Sequence, residues 1–119
     1  MATKAHEADE SRTPDQEEAV YMLNALWFKP QGGAEKYSEY ARAARPFVQR
    51  LGARVLDAFE PEQALGDFDA DLFFVVRYPS WEAFQSLVED PDYNKRVRPL
   101  REAALEKSLL IRCRRAPGF

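Results

Sequence analysis

At 119 residues the chain is the size of one domain, with material for a single core. An apolar share of 45% and a charged share of 31% are those of a soluble globular protein, and no apolar run approaches the roughly 20 residues that span a bilayer. The net charge of −3 is unevenly placed: Met1 to Glu18 hold six acids and two bases, and the remaining 14 acids and 15 bases leave the body near neutral, without the basic excess of a nucleic-acid binder.

Residues 1–18 are polar and show no apolar period, so a flexible acidic tail is expected there, without the apolar stretch of a signal peptide. Val20 to Phe28 reads as a strand with apolar side chains on both faces, which implies that both faces are covered. KPQGG closes it as a turn. In AEKYSEYARAARPFVQRLG, apolar residues from Tyr37 to Leu51 recur at three- and four-residue steps, the spacing of a helix. Gly52 stands where a C-terminal cap belongs, and Pro46 predicts a kink. ARVLDAFE reads as a second strand and PEQALGDFDA as a loop. DLFFVVRY is the clearest strand of the chain. Pro79 stops it and Ser80 is placed to cap WEAFQSLVE, a helix with Trp81, Phe84, Leu87 and Val88 on one face. DPDYN interrupts, a further helix is expected from about Lys95 to Glu106 with a bend at Pro99, and SLLIRCR is a last strand before a short tail at 116–119.

The order β-α-β-β-α-β predicts one α+β domain over residues 19–115, ferredoxin-like, with a four-stranded antiparallel sheet and both helices on one face. The other face would be bare. Its apolar residues imply a cover, and a second copy of the same sheet across a two-fold axis provides one, which makes the chain its own expected partner. The single cysteine, Cys113, allows no intrachain disulfide, and a cytoplasmic protein is expected.

Asn24 is the odd residue of its strand, a carboxamide among aromatic and aliphatic neighbours. It either orients the oxygen of a bound molecule or is satisfied by a strand, turn or water. Trp27, Tyr37, Tyr40, Phe74, Trp81 and Tyr93 have the make-up of a pocket lining and equally of a core. Tyr37 and Tyr93 are the stronger pocket candidates, because each hydroxyl wants a partner and each lies near a predicted break. Arg77, at the end of the third strand, would bind a carboxylate or pair with an acid at the sheet rim. Asp57 would act as a base only if burial raised its pKa, and otherwise faces water. KRVRPLR is locally basic and reads as a solvated helix face or as an attractor of anions. His6, the only histidine, lies in the tail, so the body lacks the usual general base and the usual haem ligand. No phosphate-cradling glycine motif or nucleophile elbow is present. Neither a metal nor a cofactor is expected.

NALWFKPQGGAEKYSEY, LGARVL, FFVVRYPSWEAFQSLVEDPDYN and LREAALEKSLLIRC, in that order, resemble the DUF1330 family of domains of unknown function, within the dimeric α/β-barrel superfamily. The resemblance covers about residues 20 to 114. It implies a homodimer whose sheets pack face to face as a barrel, and a pocket between each sheet and its own helices. It implies no single reaction, because the superfamily includes cofactor-independent monooxygenases, isomerases, haem-handling enzymes and proteins without known activity. Some of those monooxygenases place an asparagine on the first strand near a tryptophan to hold an aromatic substrate. On that pattern Asn24 would polarise an oxygen, Tyr37 or Tyr93 would hydrogen-bond it, Trp27 would pack against the ring, and Arg77 and Trp81 would help bind the ligand. The competing expectation is a non-catalytic interaction module whose pocket is filled by its own side chains.

Overall fold

The computed structural model describes residues 18–119. The expected tail therefore lies outside the described residues, apart from Glu18. The elements are β1 (Val20–Phe28), α1 (Gly33–Arg50), β2 (Arg54–Phe59), β3 (Leu72–Tyr78), α2 (Trp81–Glu89), a π-helical turn (Tyr93–Val97), α3 (Arg98–Ala104) and β4 (Leu105–Cys113). The sheet order is β2-β3-β1-β4 and every pairing is antiparallel. This is the ferredoxin-like α+β architecture, with β1 and β3 in the middle.

Side chains alternate across a strand, so one register fixes two faces. Met22 stands opposite Val76 and Arg112, and Asn24 opposite Phe74 and Leu110. This set faces the helices, where Val20, Met22, Val76, Tyr78, Leu87, Tyr93 and Val97 form the buried core. The alternate set makes rows on the other face: Val75, Leu23 and Ile111 in one, Phe73, Ala25 and Leu109 in the next. Among the described residues Phe68 of the 60–71 loop packs on Phe73, with ring centroids 6.2 Å apart, while Leu109 and Ile111 are left 43% and 42% exposed.

Local chemistry sets the element ends. Gly52, at φ +73°, closes α1 as a left-handed cap: its N–H donates to the Gln49 carbonyl, and the Ala53 N–H donates to that of Val48. The helix runs through Pro46, an exposed position, as one 18-residue element. Ser80 caps α2 by accepting the Ala83 N–H at 3.1 Å. The acids of the 60–71 loop tie down the end of β1. Asp71 accepts the Phe28 N–H at 2.8 Å, and Asp69 accepts the Trp27 indole N–H at 2.8 Å.

The last helix differs from its sequence reading at both ends. It is preceded by a π turn, in which the Arg98 N–H reaches back five residues to the Tyr93 carbonyl. Asp90 starts this segment by accepting the N–H groups of Asp92 and Tyr93. At the other end α3 stops at Ala104, because Leu105 already pairs with Phe28 and the Ala104 carbonyl accepts the Lys29 N–H at 2.9 Å. Pro99 sits in the first turn of α3, directly after the π turn.

Candidate functional site

A pocket of about 540 Å³ opens between the helix-facing side of the sheet and the helices. Its size and mostly apolar lining are those of small-molecule sites. Asn24, Tyr37 and Tyr93, three of the expected site residues, all line it, as do Tyr40, Phe74 and Tyr78. Among the described residues four arginines border it, Arg45, Arg54, Arg98 and Arg101, and no Asp or Glu does.

Asn24 is 8% exposed. Its amide nitrogen donates to the Met22 carbonyl at 3.2 Å, two residues back along the same face of the same strand. Its Oδ1 accepts nothing from the described residues. A buried amide oxygen left unpaired costs roughly 1–3 kcal/mol, and this one stands on the pocket wall. Tyr78, 5% exposed, is in the same position: its hydroxyl has no hydrogen-bond partner among the described residues.

The tyrosines form a chain along α1. Phe28, Tyr37, Tyr40 and Tyr93 follow one another with ring centroids 5.8, 5.2 and 6.4 Å apart. The Tyr40 and Tyr93 hydroxyls are 2.6 Å apart. Two hydroxyls carry two hydrogens and only one fits between the oxygens, so the pair keeps a second donor for a third group. The π turn delivers Tyr93 to this contact; such turns recur at functional positions within helices.

Burial pushes the Tyr37 hydroxyl up to about 12 from its ordinary 10.0, with the Arg101 charge opposing the rise. Tyr40 is raised further, by burial and then by the Tyr93 hydroxyl beside it, and burial takes Tyr78 to about 12. These groups are therefore neutral donors at any physiological pH. Because their folded pKa values lie above the unfolded value, stability is constant below about pH 10 and falls as pH rises through 12. Thermal unfolding followed with tyrosinate absorbance is expected to give a lower Tm at pH 12 than at pH 9, with tyrosinate appearing together with unfolding.

The other three expected site residues do not line this pocket. Trp27 and Arg77 lie on the opposite face. Trp27 is held there by Asp69, by Lys107 with Nζ 4.4 Å from the ring centroid, and by the edge of Phe68. Arg77 stands across from Tyr21, where with Arg115 it lowers the Tyr21 pKa against the raising effect of burial. Trp81 is on the helix side, stacked on Phe84 at 5.1 Å and covered by the Arg112 guanidinium at 4.0 Å. The arrangement of Trp27 beside Asn24 around one ring is thus not formed: three residues apart on a strand, the two side chains point to opposite faces. Asp57 is exposed, next to an irregularity in the β2–β3 register.

Fold and pocket define the chain as a ferredoxin-like α+β domain with a cavity between sheet and helices. A family model described as "Domain of unknown function (DUF1330)" matches residues 29–112, and the chain belongs to that family. It is similar to a protein of unknown function from Rhodopseudomonas palustris at 33% identity and TM-score 0.77, over 98% of this chain and 95% of that one. It shares its fold with a putative antibiotic biosynthesis monooxygenase from Bacteroides thetaiotaomicron at 19% identity and TM-score 0.62, over 87% and 96% of the two chains. A protein of unknown function from Bacteroides fragilis, described as dimeric with a ferredoxin-like fold, aligns at 6% identity and TM-score 0.58, over 81% and 95%. No curated protein matches the chain. Among the described residues, no helix is long and apolar enough to cross a membrane.

Proposed function

We propose that the protein is a cytoplasmic homodimer, joined through the bare faces of its sheets, in which each subunit binds a small, partly apolar molecule between sheet and helices. The observation that carries the binding reading is the Asn24 Oδ1, buried on the wall of a 540 Å³ pocket without a partner among the described residues. A pocket filled by its own side chains, as an interaction module would have, leaves no reason for that orphaned oxygen. The dimer reading is supported by the apolar rows on the open face and by the shared fold with the dimeric Bacteroides fragilis protein.

An enzymatic version, oxygenation or isomerisation without a cofactor, is supported by the likeness to the putative monooxygenase. At 19% identity that likeness carries the fold and not the reaction. The pocket supplies donors, from its tyrosines and arginines, and amide acceptors from Asn24 and Gln49. It presents no carboxylate, histidine, lysine or cysteine among the described residues to take a proton near neutral pH. A reaction here would have to begin from a substrate that is already an anion.

The experiment is mass spectrometry of the purified protein under gentle ionisation and again after denaturation. A dimer carrying a small extra mass that disappears on denaturation is expected. Asn24→Ala is expected to lower occupancy of that mass about tenfold while changing stability by less than about 1 kcal/mol, because its one bond is to its own strand. A loss of several kcal/mol in Asn24→Ala with no bound mass in the parent protein would overturn the binding reading.

A further inference from the structure

The charges and hydrogen-bonding groups around the pocket are unbalanced, and the imbalance specifies what would balance it. Among the described residues the border has four cations and no anion. Arg98 already has partners in Glu102, at 3.8 Å, and in the Asn94 side-chain Oδ1, which accepts from its guanidinium at 3.3 Å. Arg101 is partly buried and makes no ion pair among the described residues. Its charge acts instead on the hydroxyls of Tyr37, Tyr40 and Tyr78. A guanidinium drawn away from water without a counter-ion is a costly arrangement, and an anion relieves it. The same wall holds the spare hydrogen of the Tyr40–Tyr93 pair and, as its unpaired acceptor, Asn24 Oδ1.

We infer that the ligand is a hydroxylated carboxylic acid with an apolar body: its carboxylate meets Arg101 and the tyrosine hydroxyls, and its hydroxyl donates to Asn24. This rests on the reading of the pocket as a small-molecule site and deepens it. A monoanion fits better than a phosphate dianion, because the lining is mostly apolar and Arg101 is the one partly buried guanidinium among the four, the others being exposed. The hydroxyl answers the buried Asn24 Oδ1, which receives no hydrogen from the described residues, whereas the tyrosines and arginines of the wall have hydrogens to give.

Three probes separate the parts: omega-hydroxydecanoate, its methyl ester, and decanoate. The flexible chain lets the two ends settle on their groups without a preset separation. Titration calorimetry is expected to show the hydroxy acid binding about tenfold tighter than its ester. Arg101→Gln should remove that preference while leaving the ester unchanged, and Arg101→Lys should keep part of it. Decanoate should bind several-fold more weakly than the hydroxy acid, a gap that Asn24→Leu should close. If the ester binds as tightly as the acid, or if the acid keeps its advantage in Arg101→Gln, the carboxylate assignment is wrong while the pocket stands. If decanoate matches the hydroxy acid, the assignment of the hydroxyl to Asn24 is wrong. If none of the three binds, both this inference and the small-molecule reading fall.

Discussion

Ile111→Glu is expected to turn the proposed dimer into a folded monomer. Ile111 lies in the row Val75, Leu23, Ile111 on the face that no helix covers. In the subunit alone it is 42% exposed, so a glutamate there is already solvated and costs the monomer little. Across a two-fold axis the substitution enters the interface twice. Each carboxylate loses water among apolar neighbours, at an effective cost of several kcal/mol per ion. Two such charges weaken association by a factor of about a thousand or more, enough to leave monomer at micromolar concentration. Sedimentation equilibrium would read the change directly, and far-ultraviolet circular dichroism should be unaltered. A parent protein that is monomeric, or a variant that remains a dimer, would remove the open face from consideration as the interface.

Gly33→Ala should be the most damaging single methyl in the fold. Gly33 begins α1 where the helix crosses two other segments. A Cβ built there lies 2.8 Å from the Ala104 carbonyl oxygen and 3.0 and 3.1 Å from Cβ and the carbonyl carbon of Phe28. Two of these are backbone atoms, and the Ala104 oxygen is also the acceptor of the Lys29 N–H. Relief therefore means moving α3 or the end of β1 and straining a hydrogen bond that joins them. Overpacking of this kind costs about 2–3 kcal/mol, a fall in Tm of roughly 10 °C for a chain of this length. Gly32→Ala is the control. It has open space around it but φ +80°, so it should cost about 1 kcal/mol through backbone strain alone. Thermal melts of the two variants would reverse in order if backbone conformation, and not close approach, governed this turn.

The fold was legible because its signals are local and redundant. Branched and aromatic runs marked β1 and β3, Gly52 marked a left-handed helix end, and Ser80 marked a helix start; each then appears in that role. The bare apolar face was legible for a related reason, since a strand with large apolar side chains on both sides needs two covers. The end of the last helix was not, because Leu105 is a good helix former that is claimed by Phe28 across the sheet, a contact between residues 77 apart. Nor was the π turn, which has no compositional mark.

The site was legible in part. Asn24 stood out by polarity, and Tyr37 and Tyr93 by their neighbouring breaks. Trp27 was misplaced beside Asn24 although the strand period alone separates them. Arg101 was visible only as one member of a basic run. What sets it apart is its partial burial without an ion pair among the described residues, a property of the three-dimensional surroundings.

The π turn has a further consequence, in the arithmetic of helical phase. Tyr93, Arg98 and Arg101 are spaced by five and three residues, and in an unbroken α-helix the two arginines would lie roughly 140° and 80° around the axis from Tyr93. A π turn accommodates one surplus residue. With that residue absorbed between Tyr93 and Arg98, the effective steps become four and three, and the offsets shrink to roughly 40° and 20°. One surplus residue thus gathers a phenol and two guanidiniums onto a single stripe, and all three border the same cavity. Rewinding the segment as a regular α-helix with that residue retained would leave every one of those side chains in the sequence and turn the two cations away from the phenol.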